Sequence, residues 1–319
     1  MEPLPKGANF VRGKTLWEIG LHIARNPATP YGGNRDLIIT VGSGGGERFR
    51  PWLRLATGSA ILAEEVAAGG VECAFVNPSA LLTQAYRGVG LFKKPLPVRI
   101  IASYPSWDRM VFAVHPRSGI RSLADIKSKR YPLRISVRED PTHSTHVLIE
   151  QAFALHGFAL KDVESWGGKL MLCGGPSDKR RLEPMARGEI DAVFDEGIKV
   201  WLNEALAAGL LPIELTEDEF AAMGKLGWRR VGLPKARYPG LAKDFEALDF
   251  SGWPIYCNAA LPDQTAYDIC DALAAREAEI PFEQGTDGSA LNMVRETDTT
   301  PMDVPLHPGA ERWLREHAK

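Results

Sequence analysis

Four glycines in five positions follow the apolar run Leu37–Val41, within the stretch TVGSGGGERF. A strand that leads through such a turn into a helix presents unpaired N–H groups, which bind anions. A phosphate loop needs Lys and then Ser or Thr after its last glycine, but Glu47 and Arg48 stand there. A dinucleotide loop needs a glycine where Glu47 stands, so both nucleotide motifs are excluded. The loop therefore predicts a site for a smaller anionic solute, with Ser43, Gly44 and Gly45 as candidates.

Two other places combine the end of a predicted strand with the start of a predicted helix. Asn77 and Ser79 flank Pro78 in the first, and Ser144 and Thr145 occupy the analogous place in the second. The free N–H groups and positive end of a helix suit a carboxylate. In the alternative interpretation these residues have a structural role, with Ser79 as the N-cap of its helix. Helix capping and solute contact are compatible with each other.

Aromatic and basic residues follow a third strand. Tyr104 and Trp107 could form an aromatic wall, and Arg109 a bidentate clamp for a carboxylate. Arg109 could instead form a surface salt bridge with Asp108 or another neighbour.

Asp195 and Glu196 follow a fourth strand. Adjacent carboxylates repel an acidic solute unless an ammonium or hydroxyl group faces them. If both point inward, they favour an amino acid or a polar neutral ligand over a plain dicarboxylate. In the alternative interpretation at least one of them points to solvent.

His143, His146 and Glu150 have helical spacing, with Asp140 nearby, and this pattern resembles a metal site. The two histidines, His143 and His146, lack the intervening glutamate of a zinc-binding helix, and no fourth ligand is evident. We therefore predict neither a metal nor a cofactor. His143 remains a candidate for solute contact. G-x-S-x-G does not occur, and no catalytic residue is predicted.

The 319-residue chain is 45% hydrophobic, enough for two lobes, each with its own core. Its formal charge of -2 argues against nucleic acid or anionic lipid as a partner. Four cysteines without a C-x-x-C pair predict reduced, buried thiols. The first residues lack a signal-peptide core, so the sequence as written predicts a cytoplasmic protein, or a periplasmic one if its natural start has been trimmed. No apolar run is long enough to predict membrane insertion.

Strands alternate with helices from Leu37 onward, which predicts α/β architecture with mostly parallel sheets flanked by helices. A second sheet is expected from about Arg134, so two lobes should face one ligand cleft. We expect lobe I to comprise residues 1–113 and 252–319, and lobe II residues 114–251. Ligands in such folds bind beyond the carboxyl ends of the strands.

Several stretches together resemble the TAXI family of solute-binding proteins, the receptors of a class of TRAP transporters. They are ATGSAILAEEVAAGGVECAFVNPSALLTQAY, RIIASYPSWDRMVFAVHPRSGIRSLADIKSKR, RISVREDPTHSTHVLIEQAF, ARGEIDAVFDEG, RYPGL and PLHPGAERWLRE. The resemblance covers most of residues 37–315. It departs from the family at DPTHSTH, where the family has a small Gly-Ser-Gly-Thr-like turn, so His143 and His146 inherit no role.

The resemblance implies a two-lobed type II periplasmic-binding-protein fold that closes on a small carboxylate or amino acid without chemistry. TRAP membrane subunits would be its partner. Either the glycine-rich loop or the TGS stretch Thr57–Ser59 would donate N–H groups to the solute. Two alternatives stay open on the same fold. One is a cytosolic enzyme, decarboxylase-like or synthase-like, motivated by His143, His146 and Glu196, and the other is a cytosolic solute sensor.

Overall fold

Two β-sheets organise the protein, which we describe from a computed structural model of residues 8–24, 36–42, 51–57, 60–283 and 286–318. The strands are β1 (Ile38–Gly42), β2 (Pro51–Ala56), β3 (Cys73–Phe75), β4 (Val98–Tyr104), β5 (Arg109–Val114), β6 (Arg134–Arg138), β7 (Lys169–Cys173), β8 (Ala192–Asp195), β9 (Leu211–Pro212), β10 (Arg230–Leu233), β11 (Phe245–Asp249) and β12 (Trp253–Asn258). The helices are α1 (Ala8–Ala24), α2 (Leu62–Ala67), α3 (Ser79–Arg87), α4 (Leu123–Lys129), α5 (Ser144–Ala154), α6 (Asp162–Ser165), α7 (Lys179–Ala186), α8 (Leu202–Ala207), α9 (Glu217–Lys225), α10 (Asp263–Ala275), α11 (Ala290–Met293) and α12 (Pro308–His317).

The strands divide into a first sheet, in the order β1-β2-β3-β12-β4, and a second sheet, in the order β10-β11-β5-β8-β6-β7 with β9 beside β5. The predicted architecture of two sheets flanked by helices is confirmed. We call the part of the chain around the first sheet the first lobe and the part around the second sheet the second lobe. The expected boundary after residue 113 falls inside β5, which pairs only within the second sheet.

The chain passes between the sheets twice, at residues 105–108 and 250–252, which we call the first and second crossovers. The two crossovers run antiparallel and hydrogen-bond to each other, because Phe250 N–H donates to Asp108 O at 3.1 Å and Gly252 N–H to Ser106 O at 3.0 Å. The Ser251 hydroxyl also accepts from Asp108 N–H at 2.9 Å and contacts Asp108 O at 3.0 Å. The two crossovers together form one two-stranded ribbon, residues 105–108 and 250–252, which we call the ribbon.

This ribbon explains why the sheets are mixed, whereas the sequence analysis expects mostly parallel ones. β4 continues into β5 and β11 continues into β12, and the pairs β12–β4 and β11–β5 are antiparallel. An antiparallel pair is therefore built into each sheet, at one edge of the first and in the interior of the second. Among the strands that the structure describes, the pairs β2–β3, β6–β7 and β6–β8 are parallel.

The apolar core follows the two sheets. One cluster extends through both lobes and includes Phe112, Phe153 and Phe194. The four cysteines are free and buried, as the sequence predicts. Within the described ranges, no helix has the length and apolar character needed to cross a bilayer.

The lobes also meet away from the ribbon, where α3 faces α5 and the end of α9. Gln151 Oε1 accepts from Trp228 Nε1 at 2.7 Å and from Gln84 Nε2 at 3.2 Å, which joins α3 of the first lobe to the second lobe. Gly227 lies against α3 with a φ of +94°, and a Cβ placed there would be 3.1 Å from the Thr83 Cγ2 methyl carbon. The close contact between the lobes thus requires a glycine at this position.

We expect Gly227→Ala to lower the free energy of unfolding by about 1–2 kcal/mol, because alanine is strained at a positive φ. The matched control is Gly224→Ala, since Gly224 is helical and a Cβ there would meet nothing within 4 Å. That change should leave stability unchanged or raise it by up to about 1 kcal/mol. Denaturant unfolding measures both, and equal effects would contradict the strain argument.

Candidate functional site

A cavity of about 780 Å³ lies between the two lobes, beyond the ends of strands from both sheets. The first lobe contributes the start of α2, Asn77 and residues that follow α3, and the second contributes Asp140–Ser144 and Val147. We call it the cleft cavity. A second cavity, of about 460 Å³, lies on the α10 side of the first sheet and has a predominantly apolar lining that includes Leu53 and Ile269. The cleft cavity is the better candidate because it combines apolar walls with polar groups.

The first turn of α5 lines the cleft cavity. His143 is the N-cap, and its Nδ1 accepts from Thr145 N–H at 3.3 Å and lies 3.0 Å from Thr145 Oγ1. Thr145 is buried behind it. The N–H of Ser144, the first helical residue, has no carbonyl partner within the helix, and it donates no hydrogen bond to the described part of the chain. Ser144 therefore brings a free donor and the positive end of an 11-residue helix to the cavity.

Asn77 reaches the same cavity from the first lobe. Its Oδ1 atom is buried and has no hydrogen-bond partner within the described residues. A buried amide oxygen without a partner costs about 1–3 kcal/mol, which a bound donor would recover. Ser79 is placed differently. Pro78 is the N-cap of α3, so Ser79 is not the cap that the sequence suggests, and its N–H donates to Ser251 O at 3.3 Å, outside the cavity lining.

The histidines and Glu150 do not converge. His146 Nε2 donates to Arg138 O at 2.8 Å, whereas Glu150 accepts from Leu160 N–H at 3.3 Å. Burial, followed by the charge of Arg138, lowers the pKa of His143, so its ring is neutral at pH 7. Over the described ranges no three His, Cys, Asp or Glu side chains could hold a metal ion together.

Asp195 is fully buried and belongs to an ion-pair network. Its Oδ2 lies 2.8 Å from Arg138 Nε and 2.5 Å from Arg181 Nη1. Burial raises the pKa of Asp195, but the two guanidinium groups outweigh it and hold the pKa below its ordinary value. The carboxylate is therefore charged, fully paired and separated from the cleft cavity. A solute could not reach it without displacing an arginine.

Glu196 lies between Arg138 and Asp108. Its carboxyl group pairs with Arg138 Nη2 and contacts the carboxyl group of Asp108. Burial raises the pKa of Glu196 to about 8, and burial likewise raises that of Asp108. Adjacent carboxyl groups in a buried site share a proton, so this pair adds less negative charge than two free carboxylates. Asp108 lies in the first crossover, and its Oδ2 accepts from Gly197 N–H at 2.8 Å.

The two aromatic candidates are packed within the protein. Tyr104 stacks on Trp253, with 4.9 Å between ring centres, in the apolar cluster on the α10 side of the first sheet. Trp107 contacts two guanidinium groups, with Arg109 Cζ 4.3 Å and Arg237 Cζ 3.7 Å from its ring centre. Neither ring lines the cleft cavity.

Arg109 is engaged by protein groups on every side. It donates to Asp249 Oδ1 at 3.0 Å, Ser251 Oγ at 2.7 Å, Gly232 O at 3.1 Å and Asp298 Oδ1 at 3.2 Å. Its side chain is 2% exposed, so the guanidinium itself is buried, although one of its ion-pair partners, Asp298, is exposed. A role as a solute clamp would break these contacts, so we assign Arg109 to holding the ribbon.

The glycine-rich candidates Ser43, Gly44 and Gly45 lie outside the described residues, as do Gly58 and Ser59. Thr57 is described and pairs with Leu37, because Thr57 N–H donates to Leu37 O and the Thr57 hydroxyl accepts from Leu37 N–H, both at 2.8 Å. Thr57 lines the apolar cavity and not the cleft cavity.

The sequence analysis misses the acidic lining of the cleft cavity. Asp36 and Glu64 come from the first lobe and Asp140 from the second. Asp140 closely follows the end of β6, and this position alone would have made it a candidate for solute contact. The sequence analysis mentions it only as a neighbour of the metal-like group of His143, His146 and Glu150. Asp36 and Glu64 carry no such signal, since Asp36 precedes β1 and Glu64 lies within α2, and neither follows the end of a strand.

No protein-family model matches the chain. Among solved structures, it is similar to the alkanesulfonate-binding protein SsuA from Xanthomonas axonopodis pv. citri bound to MOPS, with 14% identity, 80% of this chain and 70% of the other covered, and a TM-score of 0.29. It is also similar to Trichodesmium IdiA (FutA) in complex with iron and citrate, with 13% identity, 80% of each chain covered and a TM-score of 0.36.

A third similarity is to the L-cystine solute receptor of Neisseria gonorrhoeae in its unliganded open conformation. The identity is 16%, the coverage 68% of this chain and 66% of the other, and the TM-score 0.26. None of these similarities assigns a ligand to this chain.

The raised pKa of Glu196 predicts that stability falls with increasing pH. A carboxyl group with a pKa of about 8 in the folded protein keeps its proton at pH 7, whereas the unfolded chain has released it. The free energy of unfolding should therefore decrease between pH 7 and pH 8, by up to about 1.4 kcal/mol per pH unit for one proton.

Urea unfolding at several pH values measures this slope. We expect Glu196→Gln to flatten it, while Glu204→Gln, at an exposed position of α8, should retain it. An unchanged slope in Glu196→Gln would show that the proton is held elsewhere.

Proposed function

We propose that the protein is a small-solute receptor of the TAXI type, which closes on a small carboxylate or amino acid and performs no chemistry. The observation that carries the proposal is the cleft cavity, because it brings Asn77 of the first lobe and the loop Asp140–Ser144 of the second to one space. A ligand held by both lobes stabilises the state in which they are close together. A receptor needs this coupling to report that it is occupied.

The start of α5 supports a carboxylate as one end of the ligand. Ser144 offers a free backbone N–H at the positive helix end, and its hydroxyl makes no hydrogen bond within the described residues. The neutral His143 uses Nδ1 as an acceptor, which leaves the proton on Nε2 as a further donor. Helix starts of this kind bind carboxylates without a basic side chain. Of the candidates from sequence, we retain Asn77, His143 and Ser144 as solute-contacting residues.

The ribbon supports hinge closure. The crossovers are the covalent connections between the lobes, and hinge motions are absorbed by a few residues at the ends of such elements. Gly252 in the second crossover has a φ of +72°, which glycine adopts at little cost. The hydrogen bond between Gln84 and Gln151, which joins the two lobes, would break or reform as they move.

We infer TRAP membrane subunits as the partner from the sequence resemblance alone. The cytoplasmic location expected for the sequence as written stays a prediction. A gene neighbourhood with TRAP membrane subunits would support the partnership, and a neighbourhood of catabolic enzymes would argue against it.

Titration calorimetry against a broad panel of dicarboxylates, amino acids and other metabolites tests the receptor function. We expect at least one saturable ligand that is recovered chemically unchanged after incubation. Absence of binding across the panel, or turnover of a bound ligand, would contradict the proposal.

Ser144→Pro tests the helix-start site with the ligand that the panel identifies. Proline fits the first position of a helix, and the only backbone group that it removes here is a free N–H, so the fold should be kept. His143 is already extended, at φ -62° and ψ 140°, as a residue before proline must be. We expect Ser144→Pro to weaken affinity by about tenfold, for the loss of roughly 1.5 kcal/mol in a charge-assisted hydrogen bond.

The control is Ser144→Ala, which removes the hydroxyl but keeps the N–H. Ser144→Ala should retain more affinity than Ser144→Pro. Equal affinity for the two variants would exclude a contribution from the backbone N–H.

A further inference from the structure

A pair of glutamine side chains joins the two lobes beside the cleft cavity. Gln84 of α3 and Gln151 of α5 form two reciprocal hydrogen bonds, since each amide Nε2 donates to the Oε1 of the other at 3.2 Å. Gln84 lies three residues after Leu81 and Gln151 four residues after Val147, and both of these apolar residues line the cavity. Residues three or four apart lie on the same face of a helix. The glutamine pair therefore spans the same gap between α3 and α5 as the cavity, one helical turn further along.

The orientation of both amide groups is fixed by neighbours that can only donate. Trp228 Nε1 donates to Gln151 Oε1 at 2.7 Å, and the backbone N–H of Leu91 donates to Gln84 Oε1 at 3.2 Å. Neither an indole N–H nor a backbone N–H can accept, so each must meet an amide oxygen. With both oxygens placed in this way, each amide nitrogen faces the oxygen of the other glutamine. The reciprocal pairing is the arrangement in which all of these donors have an acceptor.

These two donors connect the glutamine pair to the cavity and to the ribbon. Leu91 lines the cleft cavity. Trp228 stacks on Phe250 of the second crossover, with 6.2 Å between the ring centres. Gln84 and Gln151 themselves are not part of the cavity lining. A solute in the cavity would not touch either amide group, although the spacing that they hold is the spacing of its binding site.

Gly90 leaves room for the glutamine pair. Its φ is +62°, and a Cβ placed there would overlap Gln84 Oε1 and lie 2.8 Å from Gln151 Nε2. Any side chain at this position would therefore push against the amide groups of both lobes.

Neutral hydrogen bonds make this a contact that can open. Gln84 is buried and Gln151 is half-buried. Amide groups that separate can form hydrogen bonds with water instead, so their net contribution is small beside that of a buried ion pair. A contact of this strength can bias the position of the lobes without preventing the movement that hinge closure requires.

We propose that Gln84 and Gln151 form an amide latch, which sets the width of the cleft by holding α3 and α5 at this spacing. Both are positioning residues, because they act on a solute only through the residues that line the cavity. With the latch closed, Asn77 of the first lobe and Ser144 of the second line one space. With the latch open, the lobes separate and hold a solute less tightly. The effect on binding rests on the proposed receptor function, whereas the latch itself can be tested without a solute.

Distances between spin labels on the full chain test the latch directly. Lys94→Cys and Ala154→Cys place the labels at exposed positions, after α3 in the first lobe and at the end of α5 in the second, and the four native cysteines are buried. Pulsed electron paramagnetic resonance should show that Gln84→Met lengthens the mean distance by about 2 Å or more, the scale of a hinge motion. The control is Gln264→Met, which should leave the distance unchanged, since Gln264 is exposed and its side-chain hydrogen bonds stay within the first lobe.

Gly90→Ala opens the latch by a different route, because it keeps both amide groups and pushes a methyl group against them. We expect it to lengthen the same distance. The matched control is Gly69→Ala, since Gly69 is also in the first lobe and has a φ of +78°, but a Cβ there would meet nothing within 4 Å. Both substitutions carry the strain of alanine at a positive φ, so only the collision with the latch distinguishes them. An unchanged distance in both Gln84→Met and Gly90→Ala, or equal lengthening in Gly69→Ala, would overturn the proposal.

The ligand that the calorimetric panel identifies then separates the latch from the receptor function. Gln84→Met should weaken its affinity by about tenfold, for the loss of two neutral hydrogen bonds between the lobes. The order of preference among the panel compounds should stay the same, because the amide groups do not touch the solute. If the label distance lengthens but no compound binds, the latch stands and the receptor function is wrong. If a compound binds but the label distance does not change, the receptor function stands and the latch is wrong.

Discussion

The antiparallel ribbon formed by the two crossovers is the constraint on which the rest of the structure depends. Its backbone hydrogen bonds and the buried Arg109, held by Asp249 and Ser251, fix how one sheet is presented to the other. Removal of the Asp249 carboxylate would leave the buried guanidinium of Arg109 without its buried counter-charge, at a cost of about 3–5 kcal/mol. The ribbon thereby determines that the ends of β3 and β6 meet at one cavity, and it makes both sheets mixed.

Charge is distributed around the cleft in two layers with different functions. The inner layer contains Arg138, Arg181, Asp195 and Glu196, whose ion pairs hold the strand ends of the second lobe in place. The outer layer contains carboxylates that are not balanced by basic residues in the described lining. Buried ion pairs of this kind contribute shape and rigidity, whereas charged groups that line a cavity can select a ligand by charge. The buried ion pairs of Arg138 and Arg181 with Asp195 are therefore not part of the cleft lining.

Much of the fold could be predicted from the sequence, because β3 to β8 and α9 have clear apolar runs or periodicity. The helix Glu217–Lys225 is an example, since Thr216 and Glu219 form a capping box at its start, which is a local sequence signal. β10 and β11 were not predictable in this way, since RVGL and FEALD contain glycine and acidic residues that disfavour strands. They are stabilised instead by pairing with each other and, for β11, by pairing with the distant β5.

The site was less predictable for a similar reason. Arg109 has a side chain suited to a ligand clamp, but it binds Asp249, which is 140 residues away in the sequence. No local sequence pattern reveals this pairing. Ser144 was accessible to sequence reasoning because its role depends on a strand end and a helix start, which are local features. Because Arg109 and Asp249 are also directly opposite each other in the second sheet, the chain enters and leaves that lobe at neighbouring positions. The second lobe is thus a single continuous segment inserted between β4 and β12. A change of loop length within this segment leaves the strand order of the first lobe intact.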